Sequence, residues 1–207
     1  MGIEYKSVKG EFVCELVEKR SKFVASLGPV SSQNEVGSFL AKVRKTHYGA
    51  KHNAYAYVLF SGQEKFFDDG EPSGTAGQPV LEVLKKNSFL DVICVVSRYF
   101  GGILLGRGGL TRAYSGAAKK AVEQAGVVRM FMCDYCKVTC DYSVLDNVLS
   151  VFRKSGVFLE NKVFNQLVSL YVFSKEQNTS DLKKDLEYVS CGKIKIENLG
   201  KRIHKVG

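Results

Sequence analysis

The sequence predicts an α/β (α+β) chain of two domains, the first formed by residues 1–132 and the second by residues 133–207. The chain has 207 residues, which is long for one small domain. Strand and helix patterns alternate through the first part, whereas the second part follows the order β-α-β-β-α-β. That order is the ferredoxin-like pattern, so the second domain is predicted to be ferredoxin-like.

The first three elements of domain 1 follow from local patterns. FVCELV and KFVASLGPV are rich in β-branched and aromatic residues, which is typical of strands. Ser32 and Glu35 have the spacing of a capping box, and apolar residues with helical periodicity follow them. We therefore expect two strands and then a helix.

The rest of domain 1 is predicted as strand, helix, strand and helix. AYAYVLF has strand character, and Thr75 with Gln78 has capping-box spacing before a second helix at VLEVLKK. Residues 93–96 form a buried strand pattern, and residues 110–125 a third helix closed by Gly126.

Domain 2 begins with a strand at KVTCDY, after which Ser143 is predicted to cap a helix that Gly156 ends. VFLENKVF and LVSLYVF flank a short polar turn, as in a hairpin. Thr179 or Ser180 is predicted to cap the helix DLKKDLEYV, and KIKIE alternates as a last strand. The tail KRIHKVG is predicted to be mobile.

Several classes of protein are disfavoured. The N-terminus lacks the apolar core of a signal peptide, and no segment holds the roughly 20 apolar residues that span a bilayer, so a cytoplasmic location is predicted. Cys133, Cys136 and Cys140 have a spacing compatible with a metal site. No fourth ligand lies nearby in the sequence, however, and the alternation of this segment favours a strand, so no metal is predicted.

The charge balance favours a polyanionic partner. The net charge is +9, and residues 1–132 and 133–207 contribute +6 and +3. Because both parts are basic, RNA or the ribosome is the expected partner, although a basic pI can also serve solubility alone. Neither a membrane nor a dinucleotide is expected.

An acidic, glycine-containing loop is the first candidate for chemistry. Its carboxylates could hold a hydrated Mg²⁺ or, with His47 or His52 as acid or base, form a hydrolytic site. The alternative is structural, because Asp, Ser, Gly and Pro also suit turns and helix caps. The residues of this possible functional loop are His52, Asp68, Asp69, Glu71, Ser73 and Thr75.

A glycine- and arginine-rich stretch at residues 98–115 is the second candidate. Glycines before a helix allow backbone N–H groups to approach phosphate. Arg107 and Gly108 replace the Lys and Ser/Thr of a P-loop, and Thr111 replaces the third glycine of a dinucleotide site, so no cofactor is predicted.

Arg98, Arg107 and Arg112 instead suit RNA, because arginine pairs with phosphates in a bidentate manner. The interleaved aromatics Tyr99, Phe100 and Tyr114 could stack on unpaired bases or pack in the core, and core packing is favoured for Phe100. Three lysines would extend the nucleic-acid-binding surface: Lys22, Lys51 and Lys119.

These segments resemble the IMPACT family in its bacterial, YigZ-type form. The resemblance rests on RSKFVASLGPV, HYGAKHNAYAYVL, FDDGEPSGTAGQPVLEVL and VVSRYFGGILLGRGGLTRAYSGAAKKAV, in this order, over about residues 18–125. The C-terminal part resembles the small domain of bacterial members less distinctively.

The resemblance implies a two-layer first domain like domain IV of elongation factor G, followed by a ferredoxin-like domain. It also implies a role in translation or RNA binding, with no agreed catalytic residues. Control of a stress kinase, known for eukaryotic members, belongs largely to an extra N-terminal domain for which no room precedes residue 18, so it is not expected here.

The leading hypothesis is therefore a non-catalytic protein that binds RNA or the ribosome and regulates translation. The first alternative is a hydrolase or other small-molecule enzyme that uses the acidic loop. The second is a protein-interaction module that docks through domain 2.

Overall fold

The computed structural model describes residues 3–175 and 179–206. Its helices are α1 (Gln33–Thr46), α2 (Gly77–Lys86), α3 (Gly106–Gln124), α4 (Leu145–Lys154) and α5 (Thr179–Ser190). Its strands are β1 (Glu4–Val8), β2 (Phe12–Glu18), β3 (Ser21–Pro29), β4 (His52–Val58), β5 (Glu64–Phe67), β6 (Val92–Tyr99), β7 (Val127–Cys140), β8 (Phe158–Phe164), β9 (Val168–Lys175) and β10 (Ile194–Val206). The predicted mixed α+β class is confirmed.

The chain divides into two compact units. Domain 1 is Tyr5–Val128, and domain 2 is Arg129–Gly207 together with Met1–Glu4. The boundary predicted from the sequence, between residues 132 and 133, lies inside β7.

Domain 1 is built on an antiparallel sheet with the strand order β2-β3-β6-β4-β5. Helices α2 and α3 pack on one face, where Tyr114 and a row of alanines meet β3 and β6. Helix α1 packs on the other face, against Ile93 and Val95 of β6. The two-layer arrangement implied by the resemblance is therefore corrected, because α1 adds a layer on the second face.

The helix starts of domain 1 differ in how well the sequence predicted them. Ser32 caps α1 as predicted, since its hydroxyl accepts a hydrogen bond from the Glu35 N–H. The capping box predicted at Thr75 and Gln78 is wrong, because α2 begins at Gly77 without a side-chain cap from Thr75. Helix α3 begins at Gly106, one turn before its predicted start, because Gly108 and Gly109 belong to its first turn.

The turn between β2 and β3 fixes the path of the loop after β6. Its two central residues, Lys19 and Arg20, have φ values of 44° and 66°, as in the type I′ turns that join two-residue hairpins. Gly101 lies against this turn, and a Cβ added there would be 2.0 Å from the carbonyl carbon of Arg20. Only glycine allows the two backbones to lie this close.

Domain 2 has the predicted β-α-β-β-α-β order. Its strands pair antiparallel in the sequence β10-β7-β9-β8, and α4 and α5 pack on one face of the sheet. The hairpin of β8 and β9 is confirmed. The predicted mobility of the tail is wrong, because Lys201–Val206 belongs to β10 and pairs with β7.

The predicted caps of domain 2 have two outcomes. Ser143 does not cap α4, since Tyr142–Val144 forms a short 3-10 turn and α4 begins at Leu145. The side chains of Thr179 and Ser180 lie outside the described residues. Within residues 3–175 and 179–206, no helix has the length and apolarity needed to cross a bilayer.

Candidate functional site

Asp68 of the acidic loop is the N-terminal cap of α2. One of its carboxylate oxygens, Oδ1, accepts hydrogen bonds from the N–H groups of Ala76 (3.0 Å) and Gly77 (2.8 Å). The other, Oδ2, accepts one from Gly74 N–H at 2.9 Å. A carboxylate at a helix N-terminus also meets the positive end of the helix dipole. Asp68 thus provides the helix cap that the sequence predicted for Thr75. The Thr75 hydroxyl instead donates a hydrogen bond to the Pro72 carbonyl.

Asp69 ties the acidic loop to strand β4. Its backbone has φ +48°, and its Oδ2 accepts a hydrogen bond from Asn53 N–H at 2.7 Å. Its carbonyl oxygen lies 2.7 Å from His52 Nδ1, and Arg44 Nη2 lies 3.7 Å from its Oδ1. Both the backbone and the side chain of Asp69 therefore hold the loop against the sheet.

Glu71 is the centre of a buried polar cluster beneath the loop. Its Oε1 accepts hydrogen bonds from Arg98 Nη1 at 2.7 Å and from the Tyr114 hydroxyl at 2.8 Å. His52 Nε2 lies 4.0 Å from the same oxygen. Burial, reinforced by the Glu71 carboxylate, raises the pKa of Tyr114 far above its usual range, so Tyr114 remains a hydrogen-bond donor.

The prediction that Arg98 contacts phosphate is wrong. Strand β6 extends to Tyr99. Because side chains alternate along it, Arg98 points to the face of the sheet that α3 covers. Arg98 is only 6% exposed, and its guanidinium carbon lies 5.6 Å from the ring centres of both Phe23 and Phe100. Its charge is neutralised inside domain 1 and does not reach an external anion.

The aromatic residues interleaved with the arginines are likewise mostly structural. Tyr114 is fully buried, so it cannot stack on a base. The Tyr99 hydroxyl lies 2.9 Å from His47 Nδ1. Phe100, for which core packing was favoured, is instead 46% exposed, with Lys51 Nζ 5.8 Å from its ring centre.

The geometry gives the acidic loop a structural role. Asp68, Asp69 and Glu71 are each held by two or more hydrogen bonds or ion pairs from the protein. Across the described parts of the chain, no group of three or more His, Cys, Asp or Glu side chains is arranged to hold a metal ion. Ser73 is exposed, and its carbonyl oxygen accepts a hydrogen bond from Arg107 Nη2 at 2.8 Å, so the acidic and arginine loops are adjacent.

The remaining predicted cations lie at or near the surface of domain 1. Lys22 Nζ is 3.1 Å from a Glu15 carboxylate oxygen, and Lys119 Nζ is 3.7 Å from one of Glu123. Arg107, Arg112 and Lys51 are exposed. These five residues therefore stay candidates for binding an anion.

A groove between α2 and α3 brings some of these cations together. Its volume is about 480 Å³, and Arg112 and Lys119 lie two helical turns apart on its α3 side. Lys86 of α2 lines the opposite side, a residue that the sequence reasoning missed. Three cations and the Glu123 carboxylate therefore line one groove. The basic pair KK at the end of α2 could have indicated Lys86 as a further cation.

Known proteins resemble the chain over most of its length. The family model of the Impact N-terminal domain matches residues 19–122. The IMPACT family member YvyE of Bacillus subtilis is 36% identical over 195 residues, covering 93% of this chain and 90% of that protein. The IMPACT family member YigZ of Escherichia coli is 31% identical over 182 residues, covering 86% and 89%.

A solved crystal structure, described only as that of a hypothetical protein, shares the architecture. Its TM-score is 0.67 at 28% identity, and the match covers 95% of this chain and 97% of that one. The similarity therefore extends over both parts of the chain.

Proposed function

The chain belongs to the IMPACT family, and we propose that it is a non-catalytic protein that binds structured RNA, alone or in the ribosome, and thereby regulates translation. The α2–α3 groove is the observation that carries this proposal. Its cations lie on two helices, so binding requires no ordering of the backbone that carries them.

The chemistry of the groove suits a phosphate backbone. Arg112 offers a planar set of donors that pairs with phosphate oxygens, and Lys86 and Lys119 add point charges on either side. Ser115 and Asn87, which also line the groove, provide neutral hydrogen-bonding groups. Such contacts position RNA without reading its sequence.

A binding role also agrees with how the acidic loop is used. Its carboxylates bind the start of α2, the first residues of β4 and the buried guanidinium of Arg98. Since those contacts occupy the groups that the hydrolase hypothesis requires, catalysis at this loop is disfavoured. Arg107, Lys22 and Lys51 would extend the contact with RNA beyond the groove.

The proposal is tested by measuring the affinity for a fluorescent hairpin RNA as a function of salt. Replacing Arg112 and Lys119 by Gln should weaken binding and reduce the slope of log K against log salt by about 1–2, because up to two phosphate contacts are lost. The matched control replaces Lys45 of α1 and Lys65 of β5 by Gln, which removes the same charge outside the groove.

Two results would reject the proposal. One is hairpin binding whose affinity does not change with salt, or no binding at all. The other is an equal loss of affinity in the control variant, which would show that affinity depends on net charge and not on the groove.

A further inference from the structure

The sheet of domain 2 has a second face that α4 and α5 do not cover. Cys136, Val138 and Cys140 of β7 point towards the two helices and form the core. The residues between them therefore point to the opposite face, as alternation along a strand requires. The registers of β8, β9 and β10 place their own alternate residues on the same face.

This opposite face is dominated by aromatic rings, and we call it the aromatic sheet face. Tyr135 and Phe173 are buried at its centre, with ring centres 4.9 Å apart. His204 stacks on Phe173 at 4.2 Å with an interplanar angle of 13°, and Tyr171 stacks on Tyr135 at 6.3 Å. The rings of the face are Phe131, Tyr135, Phe158, Tyr171, Phe173 and His204.

Cations lie directly over these rings. The guanidinium carbon of Arg202 is 3.9 Å from the centre of the Tyr135 ring, and Lys175 Nζ is 4.3 Å from that of Phe131. Arg202 is paired in register with Cys133, and Lys175 with the same residue from the other side, so both belong to this face.

The acidic groups of the face are already engaged by neighbours. Glu160 accepts a hydrogen bond from the Tyr135 hydroxyl at 2.6 Å, and Glu197 pairs with Lys195 at 2.7 Å. Lys137 also lies on this face, opposite Glu197 in the register. The described residues of the face thus combine stacked rings with an excess of positive charge.

We propose that the aromatic sheet face binds unpaired RNA bases. The half-buried rings of Tyr171, Phe158 and His204 offer surfaces for stacking, and the exposed Arg202 beside them can pair with a phosphate of the same strand. In RNA-recognition modules built on a four-stranded sheet, aromatic side chains of the open face stack on unpaired bases in this way.

Charge and aromaticity together favour a single strand over a duplex, and the choice of RNA over DNA rests on the proposed function. A paired duplex keeps its bases inside, so it meets the cations but not the rings. An acidic peptide would likewise use the cations and leave the rings without a stacking partner. The inference does not depend on the α2–α3 groove, because a different domain and different residues carry it.

The test measures binding of a fluorescein-labelled 12-nucleotide oligouridine to the full chain. Replacing Tyr171 by Leu keeps apolar volume in the sheet but removes the phenol ring. We expect about tenfold weaker binding, because one base loses its stacking partner. Tyr188→Leu on α5, where the side chain is 86% exposed, is the matched control and should bind as the unmodified chain does.

A second measurement keeps the test independent of how the variant folds. Crosslinking of a 4-thiouridine oligonucleotide to the unmodified chain should map to peptides of β7, β8, β9 or β10. Crosslinks confined to domain 1, or oligouridine affinity unchanged in a folded Tyr171→Leu variant, would overturn the proposal. So would a loss of affinity in Arg202→Gln without any loss in Tyr171→Leu, because that pattern indicates a polyanion site without base stacking.

The two binding proposals fail separately. If Arg112→Gln with Lys119→Gln weakens only the hairpin, and Tyr171→Leu weakens only oligouridine, both sites stand. If only the Tyr171 variant has an effect, the groove proposal fails and the aromatic sheet face remains.

Discussion

Arg98 and Arg112 come from the same glycine-rich stretch but occupy opposite environments. Arg98 lies in strand β6, buried between Phe23 and Phe100, and its Nη1 is bonded to the Glu71 carboxylate. Arg112 lies on helix α3, exposed and lining a groove.

The difference shows that the element, rather than the residue type, decides what an arginine can do. A strand that continues three residues beyond its predicted end turns a predicted phosphate ligand into the partner of a buried carboxylate. In the helix, Arg112 is only two residues from the fully buried Tyr114 and still faces outward. The predictions below test this contrast, from the largest expected effect to the smallest.

Removing the charge of Arg98 should be the most destructive change. Arg98→Met leaves the Glu71 carboxylate buried without its cation, which costs roughly 3–5 kcal/mol of unfolding free energy. Arg112→Met should change it by less than about 0.5 kcal/mol, because Arg112 is on the surface. Urea unfolding followed by circular dichroism measures both values.

The double variant Arg98→Met with Glu71→Gln sharpens the same comparison. Because it removes both charges together, it should lose less stability than the sum of the two single variants. Equal losses in Arg98→Met and Arg112→Met would show that the buried pair has no special role.

The glycines of residues 98–115 should differ as the arginines do, because one is tightly packed and another lies on the surface. Gly101→Ala forces a Cβ against the backbone of Arg20 and should cost about 1–3 kcal/mol or more. Gly108→Ala lies in α3, where the nearest atom outside the helix backbone is Arg112 Nη1 at 3.5 Å. It should be neutral or stabilise by up to about 1 kcal/mol, since alanine favours the helix. Thermal melts of the two variants, compared side by side, check the opposite signs.

Asp68 provides an intermediate case, in which a half-buried carboxylate bonds only backbone. Asp68→Ala removes the acceptor of three N–H groups at the start of α2 and should cost about 1–2 kcal/mol. Glu82→Ala, an exposed residue of the same helix, is the control. If chemical denaturation gives the two variants equal midpoints, Asp68 does not act as a cap.

His47 should give the smallest effect, because it is only half-buried. Burial and then the nearby charge of Lys22 lower the pKa of His47 below its usual 6.5. The unfolded chain therefore takes up a proton before the folded chain does as the pH falls. This contribution to stability is complete above about pH 6.5 and is lost towards the lower, folded-state pKa. Melting temperatures at pH 7.5 and 5.5 should differ less in His47→Gln than in the unmodified chain; an equal difference would contradict the assignment.

Much of the fold could be predicted from local patterns. The cap at Ser32, the hairpin of β8 and β9, and the element order of domain 2 follow from short-range preferences, and the structure confirms them. The early start of α3 and the cap from Asp68 were missed. The first depends on Gly108 and Gly109, which belong to the helix here, and the second on a residue that reaches forward from outside the helix.

The candidate sites were harder to predict, because they depend on contacts between distant segments. Arg98 was misjudged because nothing local shows where β6 ends or that Glu71 lies beside it. The aromatic sheet face did leave a signal, since Phe131, Cys133 and Tyr135 alternate along β7, but only the pairing with β9 and β10 shows that the rings meet.

The close approach of Gly101 to the Lys19–Arg20 turn has a consequence for local motion. The Ser21 hydroxyl accepts a hydrogen bond from the Gly101 N–H at 3.2 Å, and the backbone of Arg20 occupies the space where a larger residue would have its Cβ. Opening of the loop after β6 must therefore either break this hydrogen bond or move the tip of the β2–β3 hairpin with it. Amide hydrogen exchange at these two places should be governed by one shared opening event, which makes the loop between β6 and α3 and the tip of the β2–β3 hairpin a single cooperative unit.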